Sequence, residues 1–284
     1  MGGPTRHDKL RAPFLVLAHH RSGSNFLNDL LQAHPRIECI NEPLSMHTGY
    51  FRECDLATWT GTDLDADMLH RSLAEQAPLR LFLHELRAYL LQSHIGRVIG
   101  FKETVLFGKL EWLKAFIPSL KIIFLKRDPR AIVSSVLRSD LSDFWRYEEL
   151  VPPAFARLFP NYPDRSVGDD KPARAAELVA MSVVLRYELA RRELGLFQHR
   201  VVTLEELMRD PGASLGEMTD LLGLAPHERQ LQFVAERQLA SRGGAFSSFR
   251  KPDDVTNAWE RHLDVRQLDA IDDVLRFACE RTRP

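Results

Sequence analysis

Four short apolar runs set the strongest limit on how this chain can fold: Phe14–Ala18, Arg97–Phe101, Lys121–Lys126 and Arg200–Leu204. They are rich in Val, Ile, Leu and Phe and show no polar alternation. Segments of this kind have no wet face, so they suit strands buried on both sides, as in a parallel sheet. Helical patterns lie between them. Phe26, Leu27, Leu30 and Leu31 recur at helical spacing after the first run, and Ile132, Val133, Val136 and Leu137 do so after the third. Asp128-Pro129 offers the second of these helices a capping side chain followed by Pro at its first position. Val265–Cys279 reads as a closing amphipathic helix. Strands alternating with helices predict an α/β fold with a mainly parallel central sheet flanked by helices on both faces.

The chain has 284 residues, enough to bury about three quarters of its surface without metal or disulfide staples. Neither repeats nor linkers appear, so a single domain over 1–284 is expected. Leu141–Lys171 interrupts the rhythm with Trp145, Tyr147, Phe155, Phe159, Tyr162 and four prolines, and reads as an irregular insertion. The 38 Lys+Arg and 39 Asp+Glu leave a net charge of −1, which argues against a protein that grips long nucleic acid by bulk charge. Three cysteines without a C-x-x-C pair point away from a disulfide framework and towards a reducing compartment. The apolar run near the N-terminus is too short for a signal-peptide core or a membrane span, so a cytoplasmic protein without a membrane anchor is expected.

Ligands of open α/β sheets bind at the carboxyl ends of the strands. The first such end reads His19-His20-Arg21-Ser22-Gly23-Ser24-Asn25-Phe26-Leu27. A strand turning through small residues into a helix aims N–H groups and a positive dipole end at one point, with Arg21, Ser22, Ser24 and Asn25 as further donors. That is a phosphate or sulfate site. The same stretch also suits a plain tight turn with an exposed Arg. Neither a Walker A loop nor G-x-G-x-x-G occurs, which demotes P-loop nucleotide hydrolases and dinucleotide-binding proteins. At the third strand end, Arg127 leaves the strand as the next helix begins, and Ser135 follows eight residues later. Two anion-suited ends in one sheet favour a ligand with two separated anionic groups.

These two motifs resemble those of the sulfotransferases that use 3′-phosphoadenosine 5′-phosphosulfate (PAPS). The first, covering Arg21, Ser22, Gly23, Ser24, Asn25 and Phe26, looks like that family's 5′-phosphosulfate loop. The second, Arg127 with Ser135, looks like its 3′-phosphate motif. Val201–Leu207 with Leu221–Leu224, and Ser247–Pro252 with Trp259, are similar to later segments of the family; in the last of these Arg250 and Lys251 would reach the nucleotide phosphates. The resemblance implies a P-loop-like α/β sulfotransferase fold, PAPS as co-substrate, adenosine 3′,5′-bisphosphate (PAP) as product, and no required metal. It also implies a small-molecule, lipid or carbohydrate acceptor, while the balanced charge predicts no nucleic-acid partner.

Sulfonate transfer needs a base for the acceptor proton and positive charge on the departing phosphate oxygen. Arg21 and Lys102 are the candidates for that charge; Lys102, in Gly100–Thr104, resembles the family's strand-end Lys. Cytosolic members carry a His where Thr104 stands here. Tyrosylprotein and bacterial carbohydrate sulfotransferases carry a Glu shortly after the first helix, and Glu42, in Asn41-Glu42-Pro43 after the short Ile37–Ile40 run, matches it. A carboxylate facing an Arg and a Lys is suited to accept a proton, so Glu42 is the expected base and Glu103 the second candidate. The competing functions are a P-loop-like nucleotide kinase or hydrolase, and a non-catalytic binder of adenosine bisphosphate. The aromatic segment suggests a wall for a flat or lipidic acceptor, or else a subunit interface.

Overall fold

The computed structural model describes residues 12–43, 84, 87–88, 90, 97–139, 145–163, 170–239 and 256–282. Among the described residues, five parallel strands form the sheet: β1 (Phe14–Ala18), β2 (Ile37–Asn41), β3 (Val98–Glu103), β4 (Lys121–Lys126) and β5 (Gln198–Thr203). Their order is β2-β3-β1-β4-β5, with β1 in the middle and all its residues fully buried. Successive β1 side chains enter opposite cores. Phe14, Val16 and Ala18 join one cluster, with α1 (Ser24–Gln32), while Leu15 and Leu17 join the other. This two-sided burial explains why the run shows no alternation.

The further α-helices with described bounds are α2 (Leu110–Phe116), α3 (Pro129–Leu137), α4 (Trp145–Leu158), α5 (Lys171–Glu193), α6 (Leu204–Arg209), α7 (Pro211–Leu221), α8 (Glu228–Leu239) and α9 (Val265–Thr282). Asp128 caps α3 as the sequence suggests, its Oδ1 accepting from the Arg130 N–H at 2.8 Å, with Pro129 at the first position. The long α5 backs one face of the sheet through Leu178, Val179, Val183 and Leu185. On the other face, Leu204 of α6 and Leu215 and Met218 of α7 pack with α1.

One strand adds to the four expected, and one expectation needs correction. The Ile37–Ile40 run is a fifth strand, at one edge of the sheet, where alternate side chains are only half buried. The segment 141–171, expected to be irregular, contains the helix α4 in spite of Pro152 and Pro153 within it. Burial of Val151, Ala154, Phe155 and Phe159 outweighs the backbone penalty of proline. Phe155 stacks on Phe159 at 4.6 Å, and Tyr162 joins Phe155 to Phe277 of α9. No helix among the described residues is long and apolar enough to cross a membrane.

Candidate active site

Between β1 and α1 the chain makes a tight turn in which Arg21 has φ +64° and Gly23 φ +89°. Ser22 closes it, its N–H and Oγ both bonding to the His19 carbonyl at 3.2 and 2.6 Å. Gly23 is required twice over. Its φ is left-handed, and a Cβ there would stand 2.8 Å from Leu204 Cδ2. Gly23 is also the N-cap of α1, and no side chain caps that helix, so its first-turn N–H groups are available to an anion. Ser22 and Ser24 are buried, and the Phe26 ring packs against Phe233 at 5.8 Å. Phe26 can therefore offer a ligand its amide but not its ring.

Next to this turn, the penultimate residue of β3 is Lys102, which is fully buried. Its ammonium donates to Asn25 Oδ1 at 2.9 Å and to Glu42 Oε1. Glu42 follows β2 at φ +46°, held there by its N–H donating to the Lys102 carbonyl at 2.8 Å. Its side chain is 25% exposed, so the carboxylate can meet both a buried lysine and an arriving acceptor. Glu103 is fully buried, and its carboxylate accepts from the Thr104 N–H at 3.3 Å, whereas Glu42 is partly exposed.

On the other side, Arg127 follows β4 and its guanidinium donates to the Arg21 carbonyl at 2.7 Å. Arg21, Lys102 and Arg127 thus leave three adjacent strands, β1, β3 and β4, and Glu42 leaves β2 beside them. At the ordinary strand spacing, these four ends span about 15 Å. Ser135 is buried further along α3. Arg250 and Lys251 lie outside the described residues.

The two histidines before Arg21 have separate tasks. His19 is fully buried, with Nδ1 2.6 Å from the His20 carbonyl and Nε2 3.0 Å from an Arg186 guanidinium nitrogen. Because a guanidinium only donates, Nε2 accepts and Nδ1 carries the proton. Burial, then the neighbouring His20 and Arg186, hold the His19 pKa well below the usual range. His20 Nε2 lies 2.7 Å from the hydroxyl of Tyr147 in α4, so the aromatic segment is fastened to the anion loop.

Sequence reasoning names Tyr147 only as part of the aromatic segment, and it misses Arg186, Glu205 and Tyr187. Glu205 Oε1 accepts from the Asp128 N–H at 3.0 Å, and Tyr187 bonds the backbone of Arg127. These partners are 60 to 167 residues apart in the chain, and no local pattern links them.

An uncapped helix start, three cations at neighbouring strand ends and an accessible carboxylate form a donor set that fits a ligand with two anionic ends beside a reacting hydroxyl. A family model described as the sulfotransferase family matches residues 13–228. The sulfotransferase domain from the Synechococcus PCC 7002 olefin synthase is 19% identical, covers 96% of this chain and 97% of its own, and superposes with a TM-score of 0.53. The sulfotransferase domain from the curacin biosynthetic pathway is 18% identical over 98% and 99% of the two chains, with a TM-score of 0.53. Mouse sulfotransferase SULT7A1, complexed with PAP, is 13% identical over 95% and 85%, with a TM-score of 0.54. At these identities the likeness is one of fold. A search of curated proteins finds no match.

Proposed function

The chain belongs to the sulfotransferase family, and from that premise we propose that it moves a sulfonate from PAPS to a hydroxyl of a small-molecule, lipid or carbohydrate acceptor. The observation that carries this reading is the Lys102 ammonium shared between Asn25 and Glu42 at the mouth of the anion loop. The fit is one of chemistry: first-turn amides and Arg21 suit the 5′-phosphosulfate end, and Arg127 with Ser135 suits the 3′-phosphate. By the family resemblance, Arg250 and Lys251 would add charge to the same nucleotide. Mouse SULT7A1, which shares the fold, is complexed with PAP, and this supports the choice of nucleotide.

When bound, PAPS supplies an activated sulfonate on a phosphate leaving group. The chain supplies the rest. Lys102 is desolvated and fixed by two acceptors, so its charge needs little reorganisation as negative charge grows on the bridging oxygen. Arg21 adds a second positive group on the same side. Among the described residues, Lys102 is the one partner of the Glu42 carboxylate, whose other oxygen can accept the acceptor's proton. We place this activity in a single domain spanning residues 1–284, working in the cytoplasm.

The test is an acceptor screen: the protein is incubated with PAPS and a panel of phenols, alcohols, sterols and sugars, and products are read by mass spectrometry. A sulfonated product that disappears in Lys102→Ala supports the reading. Nucleotide binding with no product from any acceptor class would leave a binding protein in place of an enzyme.

A further inference from the structure

Tyr187 lies in α5, 60 residues from Arg127 and outside every motif discussed above. Its hydroxyl accepts from the Arg127 N–H at 2.9 Å and donates to the Arg127 carbonyl, also at 2.9 Å. One hydroxyl therefore holds both peptide groups of a single residue. It does so where β4 has ended and α3 has not begun, so neither element's own ladder fixes that residue.

The ring is fixed as well. It stands edge-on to Phe124 at 5.6 Å, and Lys126 Nζ lies 5.1 Å from its centroid. Phe124 and Lys126 point to the same face of β4, the face that α5 covers. Burial raises the phenol above the usual tyrosine range, so it keeps the proton that it donates. Meanwhile the guanidinium of Arg127 is tied to the Arg21 carbonyl. The backbone of Arg127 is thus set from α5 and its head from the anion loop.

We propose that Tyr187 is the positioning residue that aims Arg127 at the 3′-phosphate, and so sets the preference for a 3′-phosphorylated over a 3′-hydroxyl nucleotide; this rests on the PAPS reading of the site. A tyrosine that served packing alone would, when changed to phenylalanine, leave that preference unaltered. A positioning hydroxyl would not, because only the 3′-phosphate meets Arg127.

The experiment is calorimetric titration of the full chain with PAP and with adenosine 5′-monophosphate, for the wild type, Arg127→Ala and Tyr187→Phe. The wild type should prefer PAP, and Arg127→Ala should lose that preference. Tyr187→Phe should reduce it about tenfold, the size expected for a buried hydrogen bond to a guiding group, while leaving the monophosphate affinity within about twofold. Preference kept in Tyr187→Phe but lost in Arg127→Ala overturns the role of Tyr187 and leaves the site reading standing. Preference kept in Arg127→Ala overturns the site reading itself. Should Tyr187→Phe fail to fold, hydrogen exchange at the Arg127 amide of the wild type decides. Protection that PAP raises and the monophosphate does not supports the proposal; any other pattern overturns it.

Discussion

Arg21 and Glu42 hold left-handed backbone conformations, φ +64° and +46°, that cost a non-glycine residue about 1 kcal/mol or more. Each is held by a hydrogen bond to a cationic residue, Arg21 through its carbonyl to Arg127 and Glu42 through its N–H to Lys102. Asn161, after α4, shares such a conformation at φ +69°, so strain alone does not mark the site, but at Arg21 and Glu42 it falls on residues proposed for chemistry, and their substitution should separate binding from turnover. In Glu42→Gln the amide oxygen can still accept from Lys102, so the lysine stays in place, but no proton can be taken up. Steady-state kinetics should show kcat reduced by about 10²–10⁴, with PAP affinity little changed. Near-normal kcat would move the base role elsewhere. His19 gives a pH dependence. Its folded pKa is depressed, so below about pH 6.5 the unfolded chain binds a proton that the native protein does not. Its contribution to stability is therefore complete above that pH and is lost as pH falls below it, at up to about 1.4 kcal/mol per pH unit. Urea unfolding at pH 7 and pH 5 should show a smaller difference in His19→Asn than in the wild type.

Among the elements, those with a purely local signal were legible. The runs Phe14–Ala18 and Lys121–Lys126 are β1 and β4, because strands buried on both faces need apolar residues throughout. The capping Asp128 and Pro129 mark the start of α3 just as clearly. The edge strand β2 was hidden because its half-exposed side admits Glu38. Helix α4 was hidden by two prolines that tertiary burial overrides. Of the candidate site, Arg21, Asn25, Glu42, Lys102 and Arg127 are legible as candidates from strand ends and motifs, and the fold brings them together. Tyr187 and Arg186 are not legible, because their partners are set by the packing of α5 on the sheet rather than by sequence neighbours. On the opposite face, the packing of β3 beside β1 depends on Gly100. It pairs with Phe14 across β3 and β1, and a Cβ there would lie 2.4 Å from the Phe14 ring. Both groups are buried, so Gly100→Ala should destabilise the protein by roughly 1–3 kcal/mol, seen as a lower urea midpoint. Because Lys102 is two residues further along the same strand, turnover should fall as well. An unchanged midpoint would mean that β3 shifts freely against β1.

Across the whole molecule a net charge of −1 conceals a strongly local arrangement. Arg21, Lys102 and Arg127 come from three neighbouring strands in the middle of the sheet, and the fold gathers them at one end. The sheet order is what does this: β3 and β4 flank β1, so residues 102 and 127 meet residues 21–25 although they are far apart in the chain. A balanced sum of charges is no guide to such a pocket; the order of the strands is. The central claim, that this end of the sheet receives a 3′-phosphorylated adenine nucleotide, is tested most directly by calorimetric titration of the wild-type chain with PAP and with ATP–Mg²⁺. Saturable binding of PAP at a single site, tighter than ATP–Mg²⁺ and unaffected by added Mg²⁺, is the expected result. No binding of PAP, or tighter Mg²⁺-dependent binding of ATP, would contradict it.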